Sequence, residues 1–201
     1  MANRERILLS SPHMSGNEKK YIQEAFDSNW IAPLGPNVTK FEKELAQYTN
    51  SKGASLTSSG TAAIHLALAC LGVGKGDSVF CSSFTFIASA NPALYLGAEL
   101  TFIDSEPNSW NMSPQALERA LCDASLENRL PKAIIVVNLY GQSADMEKLL
   151  EIADLFGVPI IEDAAESLGA EYKQKKSGTF GKIGIYSFNG NKIITTSGGG
   201  A

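Results

Sequence analysis

Lys192 follows Ser187 by five residues in the run Ser187-Phe188-Asn189-Gly190-Asn191-Lys192, and a hydrophobic run ending in Glu162-Asp163-Ala164-Ala165-Glu166 lies about thirty residues upstream. A lysine amine can hold a carbonyl compound covalently as a Schiff base. A carboxylate that follows a hydrophobic strand is costly unless it meets a cation. Further upstream, Thr57-Ser58-Ser59-Gly60-Thr61 precedes a helical stretch, and the free N–H groups of a helix amino-terminus can take a phosphate. An anchoring amine, an acid that keeps a pyridine nitrogen protonated and small polar residues for a phosphate are what a pyridoxal phosphate site needs. The chain offers a candidate for each.

Each signal also has a plainer reading. Ser-Gly-Thr begins many capped helices, Asp163 can cap the turn Ala164-Ala165-Glu166, and Lys192 can be a solvated lysine, as Lys173, Lys175, Lys176 and Lys182 are expected to be. Their occurrence together, in this order, favours the site. Gly72-x-Gly74-x-Gly76 is set aside, because it follows a helical stretch and precedes a strand, the reverse of a dinucleotide fingerprint. Gly74-Lys75 lacks the Ser/Thr and the earlier glycine of a phosphate-binding loop.

The composition, 44% hydrophobic and 19% charged over 201 residues, is that of a globular domain. A net charge of -4 without a basic stripe argues against nucleic acid or an anionic membrane as partner. Three cysteines without a C-x-x-C pair argue against a disulfide framework or a zinc site, and they are read as core thiols in a reducing cytoplasm. His65 lies in the apolar run 62–71, where packing is the expected role, and with His13 the only other histidine a histidine-based metal site is hard to assemble. No apolar stretch reaches the ~20 residues of a membrane span, and Met1 to Arg6 is too polar for a signal peptide. A soluble, cytoplasmic protein is the expectation.

The elements that must position these residues follow from periodicity. A first helix, capped by Ser15, carries Tyr21, Ile22, Ala25 and Phe26 on one face, and a second carries Val38, Phe41, Leu45 and Tyr48. Asn29 to Pro36 is a loop between them. Apolar strand-like runs at 54–56, 78–81, 99–103, 133–137 and 158–161 then alternate with helical stretches at 61–71, 86–95, 113–122 and 145–156. This is α/β order, a mostly parallel sheet covered on both faces. Strands at 183–187 and 193–196, paired around Asn189-Gly190, complete the pattern. Ligands of such sheets gather at the strands' carboxyl ends, where 57–61, Glu162-Asp163 and Ser187 all fall.

In that order the chain resembles, along essentially its whole length, the DegT/DnrJ/EryC1/StrS sugar aminotransferases, which are fold-type I pyridoxal phosphate enzymes. Ser59-Gly60-Thr61-Ala62-Ala63 resembles their phosphate-binding turn, Phe84-Thr85-Phe86 their ring-stacking segment, Glu162 to Glu166 their acidic motif, and Ser187 to Thr196 the lysine segment. The resemblance implies that Lys192 is the catalytic amine and that Asp163 pairs with the pyridine nitrogen. It implies that Phe86 stacks, that Gly60, Thr61 and Ser187 serve the phosphate, and that Glu166 lies at the cofactor where relatives carry His or Gln. It also implies a seven-stranded-type sheet. Residues 1–201 are then an N-terminal segment plus most of the large domain, and the C-terminal small domain is missing.

Asn29-Trp30-Ile31-Ala32-Pro33-Leu34-Gly35-Pro36, with the run 189–200, is most similar to the subgroup that aminates C4 of UDP-4-keto-6-deoxy-N-acetylglucosamine for bacterial glycoprotein and polysaccharide synthesis. By resemblance Asn29, Trp30, Ile31, Ala32, Gly60 and Ser187 contact the nucleotide sugar, glutamate is the amino donor, and the complete protein is a homodimer. Ser197 stands where many relatives carry glutamate. Two alternatives stay open: a dehydratase on the same fold, against which Lys192 argues because those relatives carry histidine there, and a truncated relative that binds the cofactor weakly or only folds. The chain ends nine residues past Lys192, and an isolated chain of this length is expected to keep the large-domain fold with poor solubility and little activity.

Overall fold

The computed structural model describes residues 6–8 and 10–201. Residues 1–5, on which most of the reading against a leader rests, lie outside them. The chain runs through helices α1 (Glu18–Asp27), α2 (Pro36–Thr49) and α3 (Gly60–Cys70), strand β1 (Ser78–Ser82), helix α4 (Asn91–Tyr95) and strand β2 (Glu99–Ile103). It continues with α5 (Pro114–Leu126), β3 (Ala133–Val137), α6 (Met146–Leu155), β4 (Ile160–Asp163), β5 (Glu171–Tyr172), β6 (Lys175–Lys176) and β7 (Ile183–Ile185).

The sheet has five strands in the order β2-β1-β3-β4-β7, every neighbouring pair parallel. Its three inner strands are almost continuously buried, as a sheet covered on both faces requires. Alternate residues feed two cores. Val79, Cys81, Ala133, Ile135 and Ile161 meet Ala63, Ile64, Ala67 and Leu68 of α3. Phe80, Ile134, Val136 and Ile160 meet Leu117 and Leu121 of α5 and Met146 and Leu149 of α6. The same alternation sends Asp163 toward the α3 side with Ile161 and Glu162 toward the other side with Ile160. A third cluster, Leu45, Ala164, Tyr186 and Phe188, ties α2 to the end of β7, with the rings of Phe41 and Phe188 5.1 Å apart.

The parallel sheet flanked by helices is as expected, with five of its strands formed among the described residues. Several sequence expectations are corrected. Residues 54–56 and 193–196 form no strands, and no hairpin closes around Asn189-Gly190. Instead Gly200 bridges Thr57 on one side and Ser187 on the other, both antiparallel, so residues 57–59 and 186–188 are joined by the returning chain at 199–201. The helix expected over 86–95 is a 3-10 turn at Ile87–Ser89 followed by the short α4, which begins at Asn91 with Pro92 in its first turn. Asn17, not Ser15, precedes α1, and Glu18 reaches back to the amides of Ser15 and Gly16. Of the cysteines only Cys81 is buried; Cys70 and Cys122 are exposed on helices. His65 is half-buried with its ring edge-on to Tyr95. The hairpin β5–β6 turns through Lys173 and Gln174, both at positive φ, the geometry of a type I′ turn.

Candidate active site

Asp163 closes β4 at the carboxyl edge of the sheet and is 5% exposed. Its Oδ2 accepts from Ser89 Oγ at 2.7 Å and its Oδ1 from the Ala165 amide at 3.1 Å. The cap reading and the buried-acid reading therefore both hold. Burial pushes its pKa up; the bonds from Ser89 and Ala165 and the charge of Lys192 pull it down without cancelling the burial, and Glu166 adds to the rise. A carboxylate in that position favours a further cationic partner.

Lys192 lies on the turn after Phe188, its amide bonded to the Asn189 carbonyl at 3.0 Å and its side chain 13% exposed. Nζ donates to Glu166 Oε1 at 3.2 Å. The other oxygen of Glu166 accepts from the Tyr140 amide at 2.8 Å. Tyr140 has φ 50°, the left-handed region that a side chain adopts at a cost. The lysine is thus held at one acid, Glu166, which directly follows Ala165, the residue whose amide clasps the other acid, Asp163.

At the start of α3, Ser59 caps: its Oγ accepts from the Ala62 amide at 3.1 Å and its carbonyl from the Ala63 amide at 3.0 Å. The amides of Gly60 and Thr61 donate to no acceptor among the described residues. A Cβ on Gly60 would stand 3.1 Å from Ser187 Cβ, so Ser187 closes directly over the helix amino-terminus. These features fit pyridoxal phosphate. The chain has a buried acid short of cationic charge, a shielded lysine and free amides beside a serine where an added Cβ would intrude.

Phe86 precedes the 3-10 turn and is 73% exposed, next to Thr85, whose hydroxyl lies 2.7 Å from that of Ser89. Asn29 (φ 58°), Trp30, Ile31 and Ala32 form the exposed link between α1 and α2. Trp30 is held locally, its amide on the Ala25 carbonyl at 2.9 Å and its ring against Gly35, where a Cβ would come within 2.8 Å. No hydrogen bond joins this link to Lys192 or Asp163 among the described residues. Sequence reasoning missed Ser89, which looked like one more helical residue, and Tyr140, whose strained backbone leaves no mark in composition.

Glu162, beside Asp163 but on the opposite face, has a different fate. It is fully buried and accepts from the amides of Gly178 and Phe180 at 2.7 and 2.8 Å and from Asn138 Nδ2 at 2.9 Å. It fastens the 177–181 loop to β4. A groove of about 810 Å³ runs along β7 between Ala54, Leu66 and Ile183, and no carboxylate lines it. No cluster of side chains among the described residues can hold a metal ion.

Residues 12–201 match the DegT/DnrJ/EryC1/StrS aminotransferase family. The chain is 65% identical over 98% of its length to EpsN of Bacillus subtilis, a provisionally assigned pyridoxal phosphate-dependent aminotransferase, and covers 50% of that protein. It is 42% identical to GDP-perosamine synthase of Caulobacter vibrioides, covering 100% of this chain and 52% of that one. Its fold superposes on Spr1654 of Streptococcus pneumoniae, a provisionally assigned sugar aminotransferase in its PLP form, with TM-score 0.87 and 28% identity over 98% of this chain and 52% of that one. The chain spans about half the length of these relatives.

Proposed function

Because the chain belongs to the DegT/DnrJ/EryC1/StrS aminotransferase family, we propose that it carries the cofactor-binding half of a pyridoxal phosphate-dependent sugar aminotransferase. The reading takes UDP-4-keto-6-deoxy-N-acetylglucosamine as amino acceptor, glutamate as donor, and a homodimer as the working unit. The observation that carries it is the buried Asp163 in one cluster with the Lys192–Glu166 pair. When bound, the cofactor supplies a sink for the electron pair left as a proton departs from carbon.

The chain's own residues do the rest. Lys192, its side chain 13% exposed, takes that proton at Nζ and returns it. Glu166 holds the ammonium form whenever Lys192 is not joined to the cofactor. Asp163 keeps a positive charge at the ring nitrogen, which its own burial favours. Gly60, Thr61 and Ser187 bind the phosphate through free amides and a hydroxyl, and Phe86 covers the ring. Asn29 to Ala32 hold the nucleotide sugar. A GDP-linked sugar is the second reading, favoured by the identity to GDP-perosamine synthase.

The test has two arms. Borohydride reduction of the protein with pyridoxal phosphate, followed by peptide mapping, is expected to leave the pyridoxyl group on Lys192; label confined to another lysine overturns the assignment. Glutamate-dependent amination is then compared between the UDP-linked and a GDP-linked keto sugar, and a preference for the latter replaces the first reading with the second.

A further inference from the structure

Asp163 owes its placement to a residue outside the motifs. Ser89 is buried at the end of the 3-10 turn, and its hydroxyl reaches 74 positions along the chain to Asp163 Oδ2 at 2.7 Å. A serine hydroxyl carries one proton, and an ionised carboxylate can only accept, so Ser89 donates to Asp163. The 2.7 Å contact between the Ser89 and Thr85 hydroxyls then has one remaining sense: Thr85 donates to Ser89. The three groups form a one-way relay, Thr85 to Ser89 to Asp163, in which each bond polarises the next. The Ser89 amide also bonds the Phe86 carbonyl at 3.0 Å. Largely exposed, Phe86 takes its position from that backbone anchor.

We propose that Ser89, oriented by Thr85, is a positioning residue that fixes the Asp163 carboxylate in one orientation and ties the Phe86 turn to it. The cofactor's acid and its rim aromatic are thereby set by one buried hydroxyl. The proposal rests on the reading of Asp163 as partner of the ring nitrogen. The charged and titratable groups around Asp163 are Lys192 and Glu166 from the loops and Cys81 from β1, and none of them is altered by the substitutions below.

The experiment titrates the isotope-labelled Asp163 carboxyl by NMR in the cofactor-free protein, so it does not depend on activity. A hydrogen bond donated to the charged form lowers a carboxyl pKa, so Ser89→Ala is expected to raise that of Asp163 by about one unit. Thr85→Val, which keeps the shape and removes the donor behind Ser89, should raise it by less, and Ser89→Thr should restore it. A role in packing alone leaves the Asp163 pKa unmoved by Thr85→Val. An unchanged Asp163 pKa in Ser89→Ala overturns the proposal, as does equal disturbance by Ser89→Thr. Failure of the functional reading would appear separately, as a visible absorbance of bound pyridoxal phosphate indifferent to Asp163→Asn while the carboxyl series behaves as expected.

Discussion

Glu162 and Asp163 are adjacent, chemically alike and both buried, yet one is saturated with donors and the other is not. Glu162 meets the amides of a closed loop, whereas Asp163 has one hydroxyl and one amide and a pKa raised by burial. The sign follows directly. A raised folded-state pKa means the folded protein binds a proton more tightly than the unfolded chain, so stability is greatest below the unfolded carboxyl value. It falls as pH rises through the folded value. In the cofactor-free protein Asp163→Asn, which removes the buried charge, is therefore expected to increase unfolding free energy at neutral pH by about 1 kcal/mol. That gain should vanish below about pH 4, where the unfolded carboxyl is protonated too. Urea unfolding at the two pH values checks it, and a loss at neutral pH would mean that Lys192 already supplies the missing charge. A residue that destabilises its own fold is expected at a site kept for a ligand. Asp163 could be singled out because a charge after a hydrophobic run is conspicuous in sequence, and Lys192 by its order after Ser187; Ser89 could not, since its partner lies 74 positions away at the end of β4.

Helices were read from sequence to within a few residues where their side chains carry both the stripe and the cap. Ser59, Ser113 and Asp145 each accept from the first turn of the helix that periodicity located. Strands were less legible, because a strand is defined by its partner. The apolar run at 54–56 looked like one, but the pairing falls on Thr57 and Ser59, and its partners are Gly200 and Gly199 at the far end of the chain. The glycines there have a steric purpose that the sequence does not declare. A Cβ on Gly200 would lie 2.5 Å from the Gly60 nitrogen and inside the Ser59 carbonyl, all backbone that cannot move aside. Gly200→Ala is expected to cost about 2–4 kcal/mol by forcing the 57–59 and 199–201 segments apart. Gly198→Ala, whose nearest neighbour is 4.0 Å away, should lie within about 0.5 kcal/mol of the parent. Thermal unfolding of the pair separates the two; equal effects would remove Gly200 as the spacer that seats Ser187 over Gly60.

Across the whole molecule, the sheet is solid at its centre and open at its margins. The strand interiors of β1, β3 and β4 are sealed between two cores. The apolar residues Tyr21, Ile22 and Phe26 of α1, and Trp30, Ile31 and Leu34 after it, are exposed, and α1 buries none of its residues. Composition gave the globular class but not this uneven distribution, since a count of apolar residues does not say which side of an element they cover. The cysteines sample both regimes and allow the difference to be measured. Cys81 is in the middle of β1, and burial together with the negative charge of Asp163 pushes its thiol up to about 12. Reaction with a thiol reagent needs both access and thiolate, and Cys81 has neither in the folded state. Cys70 and Cys122 are exposed. Two thiols should therefore react quickly at neutral pH, and the third only through opening of the sheet, at a rate that climbs with urea along the global unfolding curve. Three equally fast thiols would mean that the centre of the sheet opens without global unfolding, and with it the shelter that Asp163 and Ser89 require.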